Sequence, residues 1–151
     1  MYDGINCFVA LWVIFVYNKL MGTTKVLLIE DDVTLAKMYE RKFISDGYEV
    51  VIAYDGIEGL AMATKEKPDL ILLDIMLPKL DGLALFKKLR SQPATFNTPV
   101  ILLTNFGQED AVFECFKLGA IDYLVKTEVT PQQVVEKVES FLRERKSENT
   151  K

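Results

Sequence analysis

The sequence predicts an α/β fold in which five parallel strands form one doubly wound sheet with helices on both faces. Short apolar segments alternate with longer segments in which apolar residues recur at helical spacing. This alternation occurs five times, and right-handed crossover connections require such strands to lie parallel. At 151 residues, half of them hydrophobic, the chain is long enough for one domain with a sizeable core.

The segment from Pro68 to Gly82 is the centre of this prediction. Residues 70–73 are uninterruptedly apolar, which is typical of a strand buried on both faces. A charge does not belong inside such a strand, so we place Asp74 at its C-terminal end, with a loop signalled by Pro78 directly after it. Taken alone, Asp74 is equally well interpreted as a cap of the following turn.

The other elements follow from local signals. Gly119 is positioned to end one helix, and Thr130 with Pro131 is a typical start of the last helix. The predicted strands cover residues 26–29, 48–53, 70–73, 100–103 and 121–125. The predicted helices cover residues 35–45, 57–64, 83–89, 109–118 and 131–145.

Polar residues follow four of the five strands at the point where each strand ends. The economical arrangement of five such strands is the flavodoxin-like order 2-1-3-4-5, in which ligands bind at the carboxyl ends of the strands. In that order the strand ends meet at one edge of the sheet. The residues concerned are Glu30 and Asp31, Asp74, Thr104 and Lys126.

This set of side chains is suited to phosphoryl chemistry. Crowded carboxylates repel one another unless a cation neutralises them, and hard oxygen ligands without Cys or His favour Mg²⁺. Lys126 and Thr104 can contact phosphoryl oxygens through an ammonium and a hydroxyl group. Asp74 is the best placed of the carboxylates to act as a nucleophile toward phosphorus.

Each of these residues also has a purely structural interpretation. The acidic run at residues 30–32 could cap the first helix, Thr104 could be an ordinary strand end, and Lys126 could be a solvated surface lysine. Their joint occurrence at four strand ends favours a site. Asp32 lies just outside the acidic pair and is expected to cap the helix.

Five motifs give the chain a family resemblance. They are VLLIEDD at residues 26–32, DLILLDIMLP at 69–78, Asp-Gly at 81–82, Thr104, and DYLVK at 122–126. With these motifs, residues 24–145 resemble the receiver domain of two-component response regulators, and the chain looks like a CheY-like single-domain member. The resemblance implies that Asp74 is the phosphoacceptor.

The resemblance also assigns roles to the residues around Asp74. Glu30 and Asp31 correspond to the acidic pair that holds Mg²⁺, with Asp31 as the direct ligand and the backbone carbonyl of Met76 as a further one. Tyr123 corresponds to the aromatic residue that swings inward when the hydroxyl moves toward the phosphoryl group. Thr104 and Lys126 match the phosphate-sensing hydroxyl and lysine.

Partners and output are implied in the same way. A sensor histidine kinase or a histidine phosphotransfer protein would donate the phosphoryl group, and an unidentified output protein would respond. The chain would be no enzyme beyond its own phosphorylation and dephosphorylation. Residues 23–146 would be the receiver domain and 147–151 a polar tail, which predicts a stand-alone, cytoplasmic receiver.

Two departures from the family pattern keep a rival interpretation open. Asn105 replaces a small residue, and Thr127 stands where a cis-proline is usual, so we expect a trans peptide bond there. A pseudo-receiver that only binds a protein is therefore the alternative. A metal-dependent phosphohydrolase is disfavoured because its second aspartate would replace Met76.

Composition narrows the function classes further. A net charge of -4 and a pI near 5.0 give no sign of nucleic-acid binding. Cys7 and Cys115 match no metal or redox spacing, which favours reduced thiols. The chain has no histidine, so His-based catalysis and His metal ligands are excluded.

Residues 1–22 differ from the rest of the chain. The segment 5–17 is almost wholly apolar between Asp3 and Lys19, yet a bilayer span usually needs about 17–25 such residues. Three interpretations remain open. The segment is a start-site artefact with Met21 as the true start, a membrane anchor holding the domain at the cytoplasmic face, or an apolar arm that docks on a partner or on the domain.

Overall fold

The computed structural model describes residues 7–149, and it contains every strand and helix that the sequence predicts after residue 24. The strands are β1 Lys25–Ile29, β2 Glu49–Ala53, β3 Leu70–Asp74, β4 Val100–Thr104 and β5 Asp122–Val125. The helices are α1 Cys7–Met21, α2 Val33–Ser45, α3 Gly56–Glu66, α4 Gly82–Ser91, α5 Glu109–Lys117 and α6 Pro131–Glu148.

All five strands are parallel, in the order β2-β1-β3-β4-β5, which confirms the predicted fold. The register pairs Ile29 with Leu73 and Thr104 with Val125. The carboxyl ends of β1, β3, β4 and β5 therefore lie level at one edge of the sheet.

Alternating strand residues feed two separate apolar layers because successive side chains of a strand point to opposite faces. The helices α2 and α6 cover one face, and α3, α4 and α5 cover the other. The first layer includes Val26, Leu28, Tyr39, Phe43, Val134 and Val138. The second includes Leu27, Ile29, Leu85, Phe86, Leu89 and Cys115.

Side-chain caps fix where the helices begin. Asp32 accepts a hydrogen bond from the backbone N–H of Leu35 at 3.0 Å, as expected for the cap of α2. Thr130 and Gln133 form a reciprocal capping box at the start of α6, as the sequence signal indicates. These caps satisfy N–H groups that would otherwise be unpaired in the first turns of α2 and α6.

Two helix ends differ from the sequence prediction. Leu118 is the cap residue of α5, and Gly119 follows it with a φ of 88°, a left-handed conformation that glycine adopts without steric cost. The last helix extends to Glu148 rather than ending near Arg145. Its final turns carry mostly polar residues, so hydrophobic periodicity could not locate their end.

The N-terminal helix α1 presents large apolar side chains to solvent, Trp12 being 66% exposed. Among residues 7–149, no helix combines the length and the apolar character that a membrane crossing requires. Residues 1–6 of the predicted N-terminal segment and residues 150–151 of the predicted tail lie outside the described residues.

Candidate functional site

Three charged residues from three strand ends are in direct contact. The Nζ atom of Lys126 lies 2.7 Å from Oδ2 of Asp74 and 2.6 Å from Oε2 of Glu30. Glu30 is fully buried, and the side chains of Asp74 and Lys126 are 2% and 11% exposed. The sequence placed these groups at one edge of the sheet, but it did not predict that Lys126 bridges both carboxylates.

The backbone that follows Asp74 holds its side chain in place. It is the last residue of β3, and its Oδ1 accepts a hydrogen bond from the N–H of Met76 at 2.9 Å. The loop then returns so that the N–H of Gly82 donates to the carbonyl of Ile75 at 2.8 Å. A Cβ atom on Gly82 would lie 2.4 Å from the Asp74 carbonyl oxygen, so only glycine allows this approach.

The electrostatics of the site follow from burial and close pairing. Burial raises the pKa of Glu30 to about 7, although the ammonium of Lys126 opposes the shift. Burial also raises the pKa of Asp74, again against the effect of Lys126. Burial alone would lower the pKa of Lys126, but its hydrogen bond to Asp74 and its close pairing with Glu30 outweigh that effect and raise it.

The carboxylates fit a divalent cation. Glu30, Asp31 and Asp74 each offer an oxygen atom, and these atoms lie within 4.8 Å of one another. Oε2 of Glu30 is shielded from water and has an ion-pair partner in Lys126 but no well-directed hydrogen bond. One ammonium group against three carboxylates leaves an excess of negative charge, which suits Mg²⁺. The Met76 carbonyl as a further ligand remains a prediction.

A cleft of about 480 Å³ opens beside these groups. Both departures from the family pattern, Asn105 and Thr127, lie on its wall, and the peptide bond between Lys126 and Thr127 is trans, as expected from the sequence. The cleft is lined by Glu30, Asp31, Asp32, Leu35, Asp74, Met76, Asn105, Lys126 and Thr127.

The predicted switch residues lie next to the site in an outward arrangement. Thr104 is buried at the end of β4, and its hydroxyl lies 2.7 Å from Oε1 of Gln108 and 3.0 Å from the backbone carbonyl oxygen of Asn105, so both of its acceptors belong to the segment after β4. Tyr123 is 46% exposed, and its ring packs edge-on against Phe116 with centroids 6.0 Å apart.

Gln108 is a residue that sequence reasoning missed. Its Oε1 also accepts a hydrogen bond from the backbone N–H of Asn105 at 2.9 Å. A polar residue four positions after Thr104, at the start of a helix, was the available signal. Such a residue would normally be taken for a helix cap, and Gln108 makes no cap hydrogen bond with its side chain.

Curated proteins align in sequence with the region of this chain that contains the site. The transcriptional regulatory protein PhoP of Bacillus subtilis, named for alkaline phosphatase synthesis, is 40% identical over 119 residues, which is 79% of this chain and 48% of PhoP. The DNA-binding regulator RpaA of Synechocystis is 38% identical over 79% of this chain and 49% of its own length. The chain thus spans about half the length of these curated relatives.

Solved structures and a family model match the same region. A response regulator from Chloroflexus aurantiacus aligns with a TM-score of 0.72 and 37% identity over 80% of this chain and 98% of its own. A CheY-like receiver domain protein from Methanospirillum hungatei aligns with a TM-score of 0.77 and 28% identity, over 84% of this chain and 99% of its own. The family model of the response regulator receiver domain matches residues 26–139. This chain therefore belongs to the response regulator receiver domain family.

Proposed function

We propose that this receiver accepts a phosphoryl group on Asp74 from a histidine kinase or a histidine phosphotransfer protein, in a reaction that depends on Mg²⁺. The observation that carries the proposal is the contact of a nearly buried carboxylate with the ammonium of Lys126 at 2.7 Å, beside two further carboxylates. An aspartate that served only as a turn cap would need neither the lysine nor the acidic pair.

The transfer balances as a displacement at phosphorus. A carboxylate oxygen of Asp74 forms the new P–O bond while the P–N bond of the donor phosphohistidine breaks, and the imidazole leaves with that electron pair and takes up a proton. Mg²⁺ held by Glu30, Asp31 and Asp74 would offset negative charge on the phosphoryl oxygens. Lys126 supplies a second positive charge at the same point. Hydrolysis by water would restore the carboxylate and release inorganic phosphate.

The proposed test is incubation with acetyl phosphate, with and without Mg²⁺, read by intact mass. We expect the wild-type chain to gain one phosphoryl group only with Mg²⁺, and Asp74→Asn to gain none. Asp110→Asn, which alters an exposed carboxylate on α5, is the matched control and should behave like the wild type. A wild-type chain that gains no mass with Mg²⁺ would support the rival pseudo-receiver function.

We further propose that phosphorylation acts on the face formed by α5, β5 and α6. A cleft of about 440 Å³ on this face is lined by Thr104 and Tyr123 together with exposed aromatic side chains, among them Phe106 and Phe113. An inward movement of Thr104 and Tyr123 would reshape that cleft, so a partner protein docked there would sense the state of Asp74. Output is then protein binding or onward phosphotransfer to a histidine.

The wider context of the receiver is also part of the proposal. We infer that the receiver acts in the cytoplasm and has no enzymatic activity on another substrate. The prediction of no nucleic-acid partner applies to these 151 residues with their charge of -4. Of the two relatives named above, RpaA is a DNA-binding regulator, and both proteins are about twice as long as the region that they share with this chain.

A further inference from the structure

The Thr104 hydroxyl has two acceptors within reach, and the nearer is a side chain: Oε1 of Gln108 lies at 2.7 Å and the backbone carbonyl oxygen of Asn105 at 3.0 Å. Oε1 of Gln108 accepts from that hydroxyl at 2.7 Å and from the N–H of Asn105 at 2.9 Å. Both donors belong to the end of β4 and the loop after it, whereas Gln108 belongs to the start of α5. A single amide oxygen therefore joins the loop to the first turn of α5.

A hydroxyl group has one proton to donate. While Thr104 donates it to Gln108, the same proton is not available to a phosphoryl oxygen on Asp74. Phosphorylation must therefore exchange one hydrogen bond for the other, and the strength of the bond to Gln108 opposes that exchange.

We propose that Gln108 is a positioning residue that holds the hydroxyl of Thr104 outward in the unphosphorylated receiver and so sets how readily the switch operates. The inference rests on the proposed function of Asp74. It deepens that function by naming the contact that must break. Because Gln108 begins α5, release of its amide oxygen frees the first turn of the helix that also carries Phe116, the neighbour of the Tyr123 ring.

The hydrogen bond from the Asn105 N–H explains how Gln108 can hold the Thr104 side chain in place. Oε1 of Gln108 accepts hydrogen bonds from both the Thr104 hydroxyl and the Asn105 N–H, so it restrains the side chain of Thr104 and the backbone that follows it. A ligand shifts a two-state equilibrium only by its difference in affinity for the two states. Removal of a contact made only in the outward state should therefore strengthen the binding of any phosphoryl group or mimic.

The test compares variants by calorimetric titration with beryllofluoride, a tetrahedral phosphoryl mimic, in the presence of Mg²⁺. Gln108→Met keeps the length of the side chain but removes the acceptor, and it should bind the mimic about two- to tenfold tighter, the worth of one net hydrogen bond. Gln108→Glu retains an acceptor oxygen and should bind no tighter than the wild type. Gln132→Met, an exposed change on α6, should leave the affinity unchanged.

A second readout needs no phosphoryl mimic. The ring resonances of Tyr123 are followed by NMR in the unliganded protein. Gln108→Met should move their chemical shifts toward those of a buried ring, whereas Gln108→Glu should leave them unchanged. Equal affinities and unchanged ring signals in Gln108→Met would overturn the proposal, as would equal effects of both substitutions. If instead the wild type and Asp74→Asn both fail to bind the mimic, the proposed function fails, and the ring signals still decide the role of Gln108.

Discussion

Lys126 forms ion pairs with two carboxylates of the site. Its ammonium contacts two carboxylates that are almost completely buried, at 2.6 and 2.7 Å. Water cannot solvate Glu30 or Asp74 in place of the lysine, and breaking a buried pair leaves an uncompensated charge. Removal of the lysine is therefore expected to destabilise the receiver, in addition to its effect on the proposed role at the phosphoryl group.

This gives a prediction for Lys126→Met in the absence of Mg²⁺. The substitution should lower the free energy of unfolding by about 3–5 kcal/mol at pH 8, the cost of a broken buried pair. The loss should be smaller at pH 5.5. The pKa of Glu30 in the folded chain is already raised to about 7 and rises further without the lysine, so stability is retained at low pH and falls as pH increases through that value.

Urea unfolding at the two pH values measures the effect. Lys137→Met removes an exposed pair with Asp122 and serves as the control, with an expected loss of at most about 1 kcal/mol at either pH. A loss for Lys126→Met that is small and independent of pH would show that the site does not depend on this ion pair.

At the scale of the elements, hydrophobic periodicity was sufficient to predict the strands, the helices and the fold class. Buried strands such as β3 and β4 are continuous apolar runs, and the helices carry apolar residues at helical spacing, so both could be recognised and ordered. The strand order then brought Glu30, Asp74 and Lys126 to one edge. Contacts between side chains, including those of Gln108, depend on rotamers and loop paths that no periodic pattern encodes.

A substitution at Gly82 tests whether the loop after β3 must approach the end of that strand closely. In Gly82→Ala the new methyl group would lie 2.4 Å from the Asp74 carbonyl and 2.5 Å from Cα of Ile75, so the backbone that carries Asp74 must shift. We expect a loss of about 1–3 kcal/mol in the free energy of unfolding. Phosphorylation by acetyl phosphate should also slow, because the nucleophile moves with the backbone.

Chemical unfolding and the rate of phosphoryl gain are measured together. Gly22→Ala is the matched control, since a methyl group added at Gly22 would have nothing within 4 Å and the residue lies before β1. Gly22→Ala should lower the free energy of unfolding by about 1–2 kcal/mol, because alanine is disfavoured at the positive φ of this residue. It should leave the phosphorylation rate unchanged. Unaltered stability and rate in Gly82→Ala would contradict the tight loop.

At the scale of the whole molecule, the edge of the sheet concentrates negative charge that the fold must tolerate. Glu30, Asp31 and Asp74 lie together there, and within residues 7–149 the ion pairs of Glu30 and Asp74 are those with Lys126, so a divalent cation bound at this edge would stabilise the folded chain by mass action. The sequence predicted that these carboxylates lie together because Glu30 and Asp31 are the first two residues after one buried strand and Asp74 ends another. It could not predict how burial alters their pKa values.

The corresponding prediction concerns Mg²⁺ and thermal unfolding. At a fixed concentration equal to ten times its Kd at pH 8, Mg²⁺ should add about 1.4 kcal/mol to the free energy of unfolding at that pH. The gain should be larger at pH 8 than at pH 6, because the raised pKa of Glu30 makes protons compete with the metal at the lower pH. Asp31→Asn should remove most of the gain, whereas Asp110→Asn should keep it. An equal Mg²⁺ effect in both variants would rule out a site at the sheet edge.

The central claim is that the phosphoryl group is carried by Asp74, and locating the acyl phosphate tests it most directly. The chain is treated with acetyl phosphate and Mg²⁺, reduced with borohydride, which converts a phosphorylated aspartate to homoserine, and mapped by peptide mass spectrometry. We predict homoserine at position 74. Modification at another aspartate, or an unmodified residue 74 in a chain that has gained phosphate, would contradict the account.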